Sequence, residues 1–218
     1  MRIHLSILLV LMVLMSAAWA SLYPLNKDVT SYVKTDVGGA NNIEGAISIQ
    51  TIPVAETSDD DQIVNGASLN SSTALALDPT RSQYLDQPDV PRCILVTPSG
   101  TVTTTIKLTG TDISGAAISE WANFSASSTA VTTAKAFKTV DMINATTTVG
   151  TVTVKIGTSD KLGLNSKLAT NTVLLAALND TKEATAPTVT VSSTSLATNT
   201  IDTNTAPGGK VTKIWYIV

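Results

Sequence analysis

The sequence is poor in the residues that carry most enzyme chemistry. Its 218 residues include one cysteine, one histidine and few aromatic side chains, which make up 4% of the chain. A lone cysteine excludes an internal disulfide and a metal cage built from cysteines. We therefore expect neither a disulfide framework nor a cysteine-bound metal in this protein.

Charged residues are also scarce, at 14% of the chain, with 14 Lys+Arg against 17 Asp+Glu and a formal net charge of −3. Binding to nucleic acid depends on a basic surface, so no nucleic-acid partner is expected. Threonine, serine, alanine and valine are plentiful instead. This composition is typical of a β-rich surface or extracellular protein and does not by itself define a function.

The first twenty residues have the three parts of a secretory signal. Arg2 gives a basic start, residues 5–15 are apolar, and Ala18 and Ala20 provide a small-residue cleavage motif. The pattern predicts cleavage after Ala20 and export of the protein. The alternative is that residues 1–20 stay attached as a membrane anchor, because this apolar segment is just long enough to span a bilayer. Membrane contact is expected only through this segment, if it is uncleaved.

Cleavage would remove His4, the only histidine of the chain. A mature chain without histidine lacks the base of Ser-His-Asp and Cys-His catalysis and the ligands of a histidine-bound zinc. A glycosidase with two carboxylates is the one enzyme class that remains, and Asp112 and Glu120, on either side of a glycine-containing turn, are the candidate pair. We predict that the protein is not an enzyme and holds no cofactor or metal.

β-branched residues recur with a period of two along much of the chain, between turns rich in Gly, Asn, Asp and Ser. In residues 101–108, Val102, Thr104, Ile106 and Leu108 share one face and polar residues share the other. The pattern predicts an all-β fold, an antiparallel β-sandwich or jelly-roll-like domain that follows an N-terminal apolar helix.

The chain divides into a signal peptide or anchor at 1–20, an N-terminal arm and first strands at 21–72, and a β-sandwich core at 73–218. Residues 21–218 are expected to fold as one unit. A polar stretch at residues 56–72 is predicted to be a loop. Its Asp59, Asp60 and Asp61 lack the spaced carboxylates of a calcium loop, so we expect a solvated acidic segment.

The chain closes in an apolar strand at residues 211–218, which contains Trp215, Tyr216, Ile217 and Val218. We predict that this strand pairs within its own sheet. The alternative is that it adds to the sheet edge of a neighbour, which makes these four residues and the arm at 21–44 the candidate assembly contact. In that alternative, deletion of residues 215–218 abolishes assembly and leaves the monomer folded.

Two kinds of candidate modification site follow from single residues. Cys93 lies in an apolar run and is expected to pack as a small buried hydrophobe, the alternative being a link between two subunits. Four sequons mark candidate N-glycosylation sites, of which the first is favoured because its surroundings resemble a loop. They are Asn70, Asn123, Asn144 and Asn179.

The centre of the chain carries an ordered set of strand–turn phrases. They are Asp-Val-Pro-Arg at 89–92, Thr-Gly-Thr-Asp at 109–112, Gly-Ala-Ala-Ile-Ser-Glu at 115–120, Ala-Phe-Lys-Thr-Val at 136–140 and Gly-Thr-Ser-Asp-Lys-Leu-Gly-Leu at 157–164. In this order and spacing, residues 77–164 resemble β-rich virion structural proteins, of the head decoration or surface type, of tailed bacterial and archaeal viruses.

The resemblance implies a non-enzymatic component of a virion that assembles with itself or attaches to other particle or surface proteins. It implies no catalytic residues. A secretory signal departs from the pattern, because proteins of particles assembled inside a cell need none. The alternatives are a secreted cell-surface, sheath or filament protein of the host, and a sugar-binding adhesin with Trp121 or Trp215 as platforms. In every case the expected location is exported, on a virion or at the cell surface.

Overall fold

Extended strands account for the regular secondary structure in the computed structural model, which describes residues 46–72, 74–77 and 84–218. These residues contain no α-helix, and every strand pair is antiparallel, so the predicted all-β antiparallel class is confirmed. The predicted N-terminal apolar helix, signal or anchor at 1–20 and the arm at 21–44 lie outside the described residues. Within the described ranges, no helix is long and apolar enough to cross a membrane.

Fourteen strands follow one another along the described chain. They are β1 (Ile47–Ala55), β2 (Asp59–Ala67), β3 (Leu75–Ala76), β4 (Arg92–Pro98), β5 (Val102–Thr111), β6 (Ala117–Ser127), β7 (Val131–Phe137), β8 (Thr139–Ala145), β9 (Val154–Gly163), β10 (Val173–Leu178), β11 (Thr181–Lys182), β12 (Thr188–Thr190), β13 (Thr200–Asp202) and β14 (Lys210–Ile217).

The described strands form three sheets. The C-terminal sheet has the order β1-β14-β10-β11, and the third sheet has the order β3-β8-β5-β6. The central sheet has the order β12-β13-β9-β4-β7, and β2 also pairs with β9. A bulge in β9 separates the half that pairs with β2 from the half that pairs with β13. The first two described strands therefore share sheets with the last strands: β1 pairs with β14, and β2 belongs to the sheet that contains β12 and β13.

The alternation predicted for residues 101–108 is confirmed in β5. Val102, Ile106 and Leu108 are buried on one face, and Thr103 is exposed on the other. β5 turns into β6 at Gly115, whose φ of +85° favours glycine because it has no Cβ. This local pattern fixes which face of the hairpin packs inward.

Gly110 is required for a different reason from Gly115. A Cβ at Gly110 would lie 1.9 Å from the carbonyl oxygen of Thr139. Beside the bulge where β8 pairs with β5, the two backbones therefore approach to a distance that only glycine allows. The third sheet depends on this close approach where β5 meets β8.

Two apolar clusters lie on the central sheet. The first joins it to the third sheet through buried side chains that include Ile94, Phe137, Ile106 and Ile143. The second joins it to the C-terminal sheet through Leu162, Ile201, Ile214 and Tyr216, among others. The central sheet therefore contributes to both cores.

The loop predicted at residues 56–72 is wrong in its middle, which forms strand β2. Ile63, Val64 and Ala67 are buried in the first cluster and hold the strand against β9. The acidic residues that suggested a loop lie at the start of the strand, where Lys155 of β9 forms ion pairs with Asp60 and Asp61. Pairing with a distant lysine thus allows an acidic sequence to enter a sheet.

Arg92, the first residue of β4, is completely buried. Its Nε donates to the carbonyl oxygen of Ser159 at 2.7 Å, and its Nη1 donates to Asp89 Oδ1 at 2.9 Å. Its Nη2 donates to the carbonyl oxygen of Glu56 at 3.1 Å and lies 3.8 Å from Asp160 Oδ1. A buried charge is tolerated only when it is neutralised and hydrogen-bonded, as it is here.

The carboxylates around Arg92 also accept backbone hydrogen bonds. Asp89 Oδ2 accepts from the amide of Glu56 at 2.6 Å, and Asp160 Oδ1 accepts from the amide of Ser58 at 3.0 Å. These bonds attach the connector between β1 and β2 to the bulge of β9. The Arg92 cluster therefore fixes the point where the chain passes from the C-terminal sheet to the central sheet.

We predict that Arg92→Met lowers the free energy of unfolding by about 1–3 kcal/mol, because it leaves the carbonyl oxygens of Glu56 and Ser159 without their donor and the partly exposed carboxylates of Asp89 and Asp160 without their cation. The matched control is Lys155→Met, which removes a partly exposed lysine that pairs with Asp60 and Asp61. Urea unfolding followed by circular dichroism measures both. An Arg92→Met loss no larger than that of the control would contradict a central role for the buried cluster.

Candidate functional site

Asp112, one of the two candidate catalytic carboxylates, is a buried structural group. Its Oδ1 accepts hydrogen bonds from the Ser114 amide at 2.9 Å, the Ser114 hydroxyl at 2.6 Å and the Ala116 amide at 3.0 Å. These bonds hold the turn between β5 and β6, as expected of an aspartate at the start of a turn. This carboxylate oxygen is thus occupied by its own turn.

Glu120, the other candidate, joins two strand edges. Its Oε1 accepts from the amide of Ala134 at 2.6 Å, and its Oε2 accepts from the amide of Lys135 at 2.8 Å. Lys135 Nζ in turn donates to the carbonyl oxygen of Ser119 at 2.7 Å. This Glu120–Lys135 clasp connects β6, at one edge of the third sheet, to β7, at one edge of the central sheet. The two carboxylates serve separate structural contacts and do not form a common site.

The acidic residues Asp59, Asp60 and Asp61 come close together, with carboxylate oxygens within 4.8 Å of one another. Lys155 Nζ lies 3.3 Å from Asp60 Oδ1 and 3.3 Å from Asp61 Oδ2. The hydrogen bond to Asp60, and to a smaller extent the one to Asp61, raises the pKa of Lys155 above its usual value. The lysine ammonium therefore offsets one of the three negative charges of this cluster.

A polar cleft of about 590 Å³ lies beside the bulge of β9. Asp160, on its wall, is bound to Arg92 and to the Ser58 amide. Lys161 and Asp202, also on the wall, are directly opposite each other on β9 and β13. This cleft is continuous with the Arg92 cluster, because Asp160 belongs to both. The contacts of Asp160 with Arg92 and Ser58 hold its carboxylate in the wall of the cleft.

Cys93 is buried, as predicted for a small hydrophobe. Burial raises the pKa of its thiol to about 12. A thiol in this state is neither exposed nor ionised near neutral pH, so it is poorly suited to link two subunits.

Three of the four sequons present exposed asparagines. Asn70, Asn123 and Asn179 are exposed, and Asn179 lies at the turn that joins β10 to β11. Asn144 is half-buried within β8, and its Oδ1 is buried without a hydrogen-bond partner. Glycosylation of the four residues stays a prediction, and Asn144 is the least accessible of them.

The C-terminal strand β14 lies between β1 and β10, and it pairs with both. The prediction that the last strand pairs within its own sheet is therefore confirmed. Both backbone edges of β14 are used, which leaves none of them free for addition to a neighbour's sheet. A contact with another subunit through the side chains of residues 215–218 stays a prediction.

Side chains of residues 215–218 differ in accessibility. Tyr216 and Ile217 are buried, and the Tyr216 hydroxyl is hydrogen-bonded to Ser166 and Asn165. Trp215 is half-buried, and Val218 is 58% exposed. Only these last two of the four residues can therefore reach a partner.

Trp215 belongs to a row of apolar side chains on the outer face of the C-terminal sheet. It is directly opposite Ile49 of β1 and Leu175 of β10, so the three side chains project from the same face. Ile49 is 56% exposed, and Leu175 is half-buried. We call Ile49, Trp215 and Leu175 the apolar row.

The apolar row has a polar neighbour and an apolar neighbour. Lys213, two residues before Trp215 on β14, forms an ion pair with Asp180 at 2.5 Å. Leu174, beside Leu175 at a bulge in β10, is 45% exposed. A patch of apolar side chains next to self-neutralised charges has the composition of a protein–protein interface. The apolar row is therefore the candidate functional site.

We predict that deletion of residues 215–218 unfolds the monomer, because it removes the end of a strand that is paired on both sides. Deletion of Val218 alone is the control, since that residue lies beyond β14. Circular dichroism and urea unfolding distinguish the two. A folded, monomeric product of the longer deletion would instead support a role of this segment in assembly only.

Comparison with known proteins assigns no family to the chain. No family model matches it, and neither a curated protein nor a solved structure matches it significantly. The functional interpretation therefore depends on the surfaces of this protein itself.

Proposed function

We propose that the protein is an exported, non-enzymatic structural protein that acts by self-assembly, through the apolar row of one copy against that of another. The observation that carries this proposal is that exposed Ile49 and half-buried Trp215 and Leu175 lie in register on the outer face of the C-terminal sheet. Two further features of the same sheet support contact between faces rather than between strand edges.

The arrangement of the row favours a specific contact. Single exposed apolar side chains are normal on soluble proteins, but a contiguous group is typical of an interaction surface. Tryptophan is also enriched among the residues that contribute most to binding at interfaces. Ile49, Trp215 and Leu175 come from three adjacent strands and thus form one patch.

The edge of the sheet is poorly suited to assembly. β1 is one edge strand, and it contains Pro53 and a break in register between Ile52 and Ala55. The other edge strand, β11, has two residues. Proline has no amide hydrogen, and bulges twist an edge away from a partner, so both features oppose strand addition. The face of the sheet is therefore the favoured contact.

A second copy of the chain is the favoured occupant. Two sheets pack face to face about 10 Å apart, and a two-fold axis would place the same patch on both copies. The neighbouring charges of Lys213 and Asp180 already neutralise each other at 2.5 Å. Closure of such an interface would therefore bury no unpaired charge at this point.

The wider role that we propose is that of a virion decoration or surface component. The support is the ordered resemblance of residues 77–164 together with the low charge content of 14%. The two cores that flank the central sheet also support the narrower proposal of a sandwich or jelly-roll-like domain. The predicted secretory signal at residues 1–20 favours, as a second candidate, a secreted surface, sheath or filament protein.

We predict that Ile49→Lys converts the assembled protein to monomers, weakening association at least about tenfold, because a two-fold contact would bring the two introduced charges together. Leu85→Lys is the matched control, since Leu85 is 52% exposed and lies outside the three sheets. Analytical ultracentrifugation over a range of concentrations measures both. A monomeric native protein, or equal effects of the two variants, would refute self-assembly through this row.

The proposed location predicts that the protein is enriched in density-purified extracellular particles relative to washed cell envelopes, with an N-terminal peptide that begins at Ser21. Quantitative mass spectrometry of both fractions provides the measurement. Enrichment in envelopes would favour the surface or sheath candidate over the virion. A peptide that begins at Met1 would show that residues 1–20 are retained.

A further inference from the structure

A second row of side chains lies on the third sheet, separate from the proposed assembly contact. Trp121 of β6 is 49% exposed and is directly opposite Lys107 of β5. Lys107 is in turn directly opposite Asn144 of β8. Directly opposite residues project from the same face of a sheet. We call Asn144, Lys107 and Trp121 the tryptophan row.

The lysine in this row is held by an aromatic ring. Lys107 Nζ lies 5.4 Å from the centroid of the Trp121 ring, within the range of a cation–π contact. Within the described residues, no carboxylate forms an ion pair with Lys107. Among the residues that the structure describes, this positive charge has no acidic partner, and it lies next to an exposed aromatic surface.

Polar side chains flank the tryptophan row on both sides. Thr105 is directly opposite Asn123, and its hydroxyl donates to Asn123 Oδ1 at 2.9 Å. On the other side, Thr109 is directly opposite Ser119. Residues two apart on a strand are about 7 Å apart, so the three rows span about 14 Å. On β8, Met142 is directly opposite Thr109 and is 42% exposed. The strip is thus rich in hydroxyls and amides, with one aromatic ring at its centre and one methionine at its edge.

Asn144, at the end of the tryptophan row, is half-buried, and its Oδ1 is buried. A ligand on the outer face would therefore contact Lys107, Trp121 and the flanking polar side chains rather than the Asn144 oxygen.

We propose that this strip binds an acidic polysaccharide that contains uronic acid units. One sugar ring stacks on Trp121, its carboxylate pairs with Lys107, and its hydroxyls bond to the amide and hydroxyl side chains of the flanking rows. Lys107 is the one charged side chain among the residues of these three rows, so the charge of the strip selects an anionic sugar over a neutral one. The inference does not depend on self-assembly, because it concerns a different sheet.

The test measures the binding of trigalacturonate and of neutral maltotriose by isothermal titration calorimetry. Protein produced without N-glycans is used, and intact mass confirms that Asn123, beside the strip, is unmodified. The native protein is expected to bind trigalacturonate at least about tenfold more tightly than maltotriose, and added salt is expected to weaken that binding.

Paired variants locate the site. Trp121→Ala is expected to abolish trigalacturonate binding, and Trp121→Phe is expected to retain part of it, because phenylalanine keeps a stacking surface. Lys107→Met is expected to reduce trigalacturonate binding to the level of maltotriose, and Lys107→Arg is expected to retain the preference. Lys155→Met, a lysine of the central sheet, is the control and is expected to leave binding unchanged. Urea midpoints confirm that each variant is folded.

Three results would overturn the proposal: no binding of either sugar at millimolar concentration, equal binding of both sugars, or a folded Lys107→Met variant with unchanged preference. Sedimentation of the same samples reports assembly separately. Loss of sugar binding with normal assembly in Trp121→Ala would support the glycan site without bearing on the apolar row.

Discussion

The buried charge of Arg92 is the constraint on which the rest of the structure depends. A guanidinium with no exposure to water must find acceptors in several directions, and here they come from Asp89, Asp160 and the backbone of Glu56 and Ser159. These groups belong to the β1–β2 connector, the segment before β4 and the bulge of β9. Because the central sheet lies against both apolar clusters, the position of this connector also sets how the C-terminal sheet is joined to the rest of the described chain.

Hydrogen bonds from backbone amides to polar side chains also stabilise other parts of the described chain. The described residues contain no disulfide and few ion pairs. Glu120 accepts two backbone amides of β7, and Asp112 accepts those of its own turn. Asn199, which is fully buried, accepts from the amides of Leu168 and Ser192 at 3.0 and 2.9 Å. In each case one polar side chain accepts hydrogen bonds from two backbone amides. Satisfied polar networks of this kind favour a single arrangement of loops, because each broken bond leaves a buried group unpaired.

Two outer faces of the described sheets differ in chemistry, and this difference is the basis of the functional proposals. The C-terminal sheet presents Ile49, Trp215 and Leu175, whose burial against a second copy would remove apolar surface from water. The third sheet presents Trp121 among hydroxyls, amides and a lysine, which suits a hydrated, anionic ligand. An exported structural protein can use both faces, one for its own assembly and the other for attachment to a polysaccharide.

The sequence by itself determined what depends on near neighbours. The alternation of Val102, Ile106 and Leu108 predicted β5 and its buried face, and the apolar run at 211–218 predicted the last strand, because a period of two is a local property. It did not predict β2, since Asp60 and Asp61 enter a sheet only when Lys155 lies beside them. Nor did it predict the burial of Arg92 or the rows that contain Trp215 and Trp121. Those depend on strand order and register between residues far apart in the chain, which only the tertiary structure decided.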